Sequence, residues 1–151
     1  MLMTRRFLLF TLGVFIISMS CSKSPKCWGE DENNGDIIES YSLPSCFYLP
    51  VQEDGSFLAR STDDIDTLDG CTVSPLQIDF TKYSIIGFPT EFQCNAKIIR
   101  EVIIDHNNKQ CGYSITINEC GLCKSMGIND NLVLIPALPE DYLVIFKVEY
   151  K

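Results

Sequence analysis

Downstream of Ile37 the apolar residues come in short runs, not at helical spacing. Residues 45–51 (SCFYLPV), 83–88 (YSIIGF), Lys97–Asp105 (KIIREVIID), 111–118 (CGYSITIN), 132–135 (LVLI) and 142–150 (YLVIFKVEY) are rich in β-branched and aromatic side chains. Each run is bounded by Gly, Pro, Asn or Asp, the punctuation expected between strands. No segment carries an apolar helical stripe longer than two turns, and there is no internal repeat. The pattern predicts one all-β domain, a single antiparallel β-sandwich or barrel-like fold.

Two hairpins can be drawn. With Asn107-Asn108 as a two-residue turn, Ile104 faces Cys111, Val102 faces Tyr113 and Ile98 faces Ile117. That gives a coherent apolar face in which Arg100 is the one awkward member. The second hairpin would join 132–135 to 142–150 through Pro136-Ala137-Leu138-Pro139-Glu140-Asp141. In the last strand Tyr142, Val144, Phe146, Val148 and Tyr150 alternate with positions that include Lys147 and Glu149, so one face is buried and the other mostly wet.

The N-terminus reads differently. Arg5-Arg6 precede an apolar run at 7–17 (FLLFTLGVFII), then Ser18-Met19-Ser20-Cys21. A basic tip, a short apolar core and a small residue before the cut make a secretory signal. The run is about half the length of a membrane-spanning helix. A cysteine directly after the small residue resembles the lipobox of bacterial lipoproteins, although Ser18 stands where such boxes more often have Leu. The resemblance implies cleavage after residue 20, acylation of Cys21 and a lasting membrane anchor, since several acyl chains hold where one is marginal. The polar stretch 22–36 (SKSPKCWGEDENNGD) reads as a flexible tether, with Trp28 expected to pack on the domain edge. The expected organisation is a cleaved leader at 1–20, a tether at 21–36 and a β domain at 37–151.

Charge narrows the functions. The chain has a formal net charge of -8, and residues 1–20 hold two arginines and no acid, so cleavage leaves a more acidic chain still. Such a balance repels phosphate backbones, which argues against nucleic-acid partners. Seven cysteines follow Cys21, at positions 27, 46, 71, 94, 111, 120 and 123. In an exported chain they read first as disulfides, and an odd number leaves at least one free or paired between molecules. Cys111 and Cys120 would lie roughly 30 Å apart on one extended strand, too far for a bond that needs Cα atoms within about 7 Å. Extending the first hairpin's register puts position 94 beside 121. Cys94–Cys123 is therefore the first pairing, Cys94–Cys120 the second, and Cys46–Cys71 a further candidate.

Three patterns could carry chemistry, and each has a simpler reading. Cys120-Gly121-Leu122-Cys123 has redox spacing, but it follows a strand and lacks a good helix start, which favours structural disulfides. His106 is the sole histidine and sits in the first turn, so it reads as solvated, not catalytic. The acidic run at 63–70 (DDIDTLDG) invites calcium, but Leu68 and Pro75 stand where ligands belong when counting from Asp64. The sequence thus nominates no catalytic residue, no metal site and no cofactor.

The stretch 78–150 resembles a group of small lipoproteins from Bacteroidetes. The carrying residues are Ile78-Asp79-Phe80-Thr81-Lys82-Tyr83-Ser84-Ile85-Ile86-Gly87, Cys94, Gly121-Leu122-Cys123 and 132–148 (LVLIPALPEDYLVIFKV). That resemblance implies an envelope location and no particular activity. The layout is also similar to PrcB-type protease-complex subunits, which open on a comparable Asp-Phe strand start. The Thr-Gly-Gly-Tyr segment of those subunits is missing here, with Pro89-Thr90-Glu91 in its place.

The resulting expectation is a lipid-anchored protein of the cell envelope, at the outer membrane in preference to the inner. Its β domain would act by binding or supporting an envelope partner, without catalysis. The alternative is a protease-associated regulatory or inhibitory subunit, or a carboxylate-dependent hydrolase, with loops 89–96 and 124–131 as the working rim.

Overall fold

The structure, a computed structural model, describes residues 30–70, 76–93, 96–119 and 125–151. Cys21, Cys27, Trp28, Cys71, Cys94, Cys120 and Cys123 lie outside these, so the leader, the lipidation site and the Cys94 pairings fall there too. The strands are β1 (Glu32–Gly35), β2 (Glu39–Ser40), β3 (Phe47–Tyr48), β4 (Phe57–Ala59), β5 (Asp66–Thr67) and β6 (Tyr83–Gly87). They continue as β7 (Thr90–Gln93), β8 (Lys97–Asp105), β9 (Gln110–Asn118), β10 (Met126–Asn129), β11 (Val133–Pro136) and β12 (Leu143–Tyr150). A single 3-10 turn at Thr62–Asp64 is the one helical piece among the described residues.

Alternation builds the first sheet. Along β8 and β9, Ile98, Val102, Cys111, Tyr113, Ile115 and Ile117 are buried, while Glu101, Ile103, Gly112 and Ser114 face outward. The register matches the expected one: Ile98 with Ile117, Val102 with Tyr113, Ile104 with Cys111. The turn is longer than expected, because pairing stops at Asp105 with Gln110. Asp105 is the reason. Its carboxylate accepts the N–H groups of Asn107 and Asn108 at 2.9 and 3.1 Å, which keeps residues 106–109 out of the ladder.

The second sheet runs β2-β11-β6-β4, antiparallel throughout. Both of its faces are covered. Ile86, Val133 and Ile135 meet the first sheet, whereas Ile85, Leu134 and Ala59 lie beneath Leu49, Tyr41 and Ile78. Two-sided burial explains why YSII and VLI read as continuous apolar runs. Two short ribbons, β3 with β5 and β7 with β10, complete the structure.

Three expectations need correction. The first sheet, ordered β1-β8-β9-β12, is mixed: β1 lies parallel to β8 and β12 parallel to β9. Neither four-stranded sheet closes on itself, so the barrel alternative falls. Second, β11 and β12 belong to different sheets and form no hairpin. Pro136 ends β11; Ala137 N–H then donates to Lys82 C=O at 2.8 Å and Leu138 N–H to Ser84 Oγ at 2.9 Å. With Leu138 buried between the sheets, the segment carries the chain across the core instead of turning it back.

Third, the domain begins before residue 37. Asp31 Oδ1 accepts Ile98 N–H at 3.1 Å, and Asp36 Oδ2 accepts Ile104 N–H at 2.7 Å. Between these two clamps β1 adds to the edge of β8. Every β1 side chain is exposed, so the strand is held through backbone and carboxylates and leaves no apolar signature. Residues 31–36 therefore belong to the sheet, not to a tether.

Candidate ligand cleft

A cleft of about 420 Å³ opens between residues 41–49 and residues 128–132, with Phe57 of β4 also lining it. This volume is in the range that holds small ligands or single side chains of a partner.

The first wall is aromatic. Tyr41, Phe47 and Tyr48 line it together with Leu43 and Leu49. It is fixed at both ends. Tyr41 N–H donates to Leu132 C=O at 2.8 Å, while Phe47 pairs with Thr67 and Tyr48 with Asp66 in the β3–β5 ribbon. Cys46 adds a covalent tie, being disulfide-bonded; its partner lies outside the described residues. The Asp66 carboxylate raises the Tyr48 phenol above its ordinary range, first by its charge and then by a hydrogen bond to the hydroxyl. Burial, and then the charge of Glu39, does the same to Tyr41.

The opposite wall depends on Asn131. This residue is 1% exposed and has a φ of 48°, in the left-handed region that asparagine tolerates better than most residues. Its Nδ2 group donates to Thr90 Oγ1 at 2.8 Å and to Phe88 C=O at 3.0 Å. Its carbonyl accepts the Tyr113 hydroxyl at 2.6 Å. Behind it stands Arg100, the awkward inward residue of β8. Arg100 Nη2 meets Asp31 Oδ2 at 3.0 Å. The guanidinium thus links the N-terminal segment to the cleft wall through the core.

In front of Asn131 the two expected rim loops turn out to be strands. β7 and β10 pair antiparallel, Phe92 opposite Gly127 and Glu91 opposite Ile128. A Cβ at position 127 would crowd the Phe92 ring, so glycine lets the ribbon close. Ile128 is 72% exposed and Met126 60% on one face of β10. Ile128 and the half-exposed Tyr48 both line the cleft, and Asp130 stands at its mouth. Large exposed apolar groups around a concavity mark a binding surface.

The remaining candidates are not brought to this place. His106 sits in its turn with Nδ1 2.8 Å from the Tyr142 hydroxyl. Asp64 caps its own 3-10 turn, with Oδ2 accepting the N–H groups of Arg60 and Ser61 at 2.7 and 2.8 Å. Among the described residues no group of three or more His, Cys, Asp or Glu could hold a metal ion. Cys111 is a free, buried thiol in the core. Burial pushes it up to about 11, so it is protonated at neutral pH. The Cys120-Cys123 motif lies outside the described residues.

No protein-family model, curated protein or solved structure matches the chain.

Proposed function

We propose that this chain is an exported, lipid-anchored envelope protein whose β domain works by binding a partner protein in the cleft. The observation that carries the reading is the grouping of exposed Tyr48 and Ile128 around an aromatic concavity. The acidic surroundings, Asp130 at the mouth and Asp66 beside Tyr48, favour a peptide segment that pairs an apolar side chain with a Lys or Arg. The anchor at Cys21 rests on the lipobox resemblance and would hold the domain at the membrane surface. Cys94–Cys123 and Cys46–Cys71 are the disulfides that suit an oxidising compartment.

The test is capture from detergent-solubilised envelope, comparing the native chain with Tyr48→Ala and Ile128→Asp. Loss of one stoichiometric partner in both variants supports the reading. Equal capture by all three chains contradicts it. If the partner is a protease, the role is that of a protease-associated subunit. Mass spectrometry of the mature N-terminus tests the acyl groups on Cys21, and Cys21→Ala should leave the membrane fraction.

A further inference from the structure

β12 forms one edge of the first sheet, eight residues long. Its backbone direction can be read from both ends. Leu143 N–H donates to Lys109 C=O at 3.0 Å, and Lys151 N–H donates to Ile117 C=O at 2.9 Å. Backbone groups alternate along a strand, so odd-numbered residues bond to β9. The N–H and C=O groups of Val144, Phe146, Val148 and Tyr150 consequently point away from the sheet. Tyr142 C=O, just before them, is taken by Arg60 Nη2 at 3.1 Å.

Among the described residues no strand covers this edge. An edge of this length is a template for another strand, and lysine on it is the usual guard. Here the guard is neutralised within its own strand: Lys147 Nζ lies 2.6 Å from Glu149 Oε1 on the outer face. On that face Glu149 lies between Lys147 and Lys151, the latter 3.5 Å away. A twofold at Val148 faces Lys147 with Glu149 along the strand, whereas one at Tyr150, which faces Glu149 with Lys151, overlaps only the last three residues. We infer that two copies of this chain pair antiparallel through β12, about a twofold axis at Val148, to form a continuous eight-stranded sheet.

That register sets Phe146 opposite Tyr150 of the second copy and Val148 opposite itself, which exchanges about six main-chain hydrogen bonds. It also sets Lys147 opposite Glu149 of the other copy, twice, at the closely spaced non-bonded positions. An axis at Lys147 would oppose two lysines. One at Phe146 would set Lys147 against Ile145 and Glu149 against Leu143. The arrangement is isologous and closes at a dimer, leaving no free β12 edge.

Sedimentation velocity on the full chain, extracted in a non-ionic detergent, tests this. The native chain should shift from monomer to dimer with concentration, with a midpoint below about 200 µM. Lys147→Glu and Glu149→Lys should each weaken the dimer at least about tenfold by facing like charges. The double exchange should restore it. Lys147 is exposed and Glu149 partly so, and a melting curve on each variant verifies that folding is retained. Val148→Pro removes an edge donor without touching the β9 ladder and should also give monomer. A chain that stays monomeric at that concentration overturns the inference, as does a dimer indifferent to both single charge changes.

Discussion

Arg100 Nε–H donates to Asn131 Oδ1 at 3.0 Å in the interior of the domain, joining the first sheet to the wall of the cleft. Arg100 is 4% exposed, so its charge is held in place by Asn131 and by the Asp31 carboxylate. Removing one partner of a buried charged group costs far more than the net worth of the bond.

Asn131→Ala should therefore destabilise the domain by about 3–4 kcal/mol, since it orphans the Arg100 donor and forces alanine into positive φ. Asn131→Gly relieves the backbone and should recover only part of that loss. Asp31→Asn, at a partner 40% exposed, should cost about 1 kcal/mol. Urea unfolding of the three variants ranks these effects. Equal midpoints would deny Asn131 its organising role.

Gly35 tests where the domain begins. Its φ is 69°, and a Cβ there would collide with the Val102 carbonyl. Gly35→Ala should release β1 from β8 and open residues 31–36 to proteases, with a loss of about 2–4 kcal/mol. Resistance to cleavage before Ile37 in the variant would mean that β1 contributes little.

The first hairpin was legible because strict alternation and an Asp-His-Asn-Asn turn left one register that buries Ile98, Val102 and Tyr113 together. β12 was legible as a strand, but its neighbour was not. Alternation shows which face is wet and not which strand lies beside it, so the crossing made by Pro136 and Leu138 looked like a turn. β1 was hidden because Glu32, Asn33 and Asn34 bury nothing, and its clamps are single aspartates outside the strand. The cleft was half visible. Residues 124–131 stood out as a loop, yet the buried role of Asn131 depends on Arg100, 31 residues away. The mark that could have pointed to it is Arg100 itself, a charge on an apolar face with no partner in its own hairpin.

Cys111 predicts an alkaline weakness. Its thiol is raised from 9.0 to about 11 by burial first and then by the charge of Asp36. A group whose folded value is raised stabilises the fold fully below the unfolded value and loses that contribution as pH rises through the folded one. Stability should fall between pH 9 and about 11. Cys111→Val, close in volume, should remove part of that slope, by at most about 3 kcal/mol, leaving the share of Tyr113, also raised by burial. Native protein should resist alkylation at Cys111 until unfolded. Rapid labelling at neutral pH would contradict this.

Cys46 anchors the aromatic wall. Cys46→Ser should cost about 2–5 kcal/mol and loosen the β3–β5 ribbon. Hydrogen exchange should show faster exchange at Phe47 and Leu68 N–H, whose acceptors are Pro44 and Cys46 carbonyls. Unchanged exchange there would show that the ribbon stands without the bond.

The most direct test places a photo-crosslinking side chain at position 128, on the lip of the cleft, and another at 107, in the distant turn. In living cells the cleft position should join one envelope protein in a single abundant adduct, absent from the turn position and lost on adding Tyr48→Ala. No adduct from position 128, or the same adducts from 107, would contradict binding through this cleft.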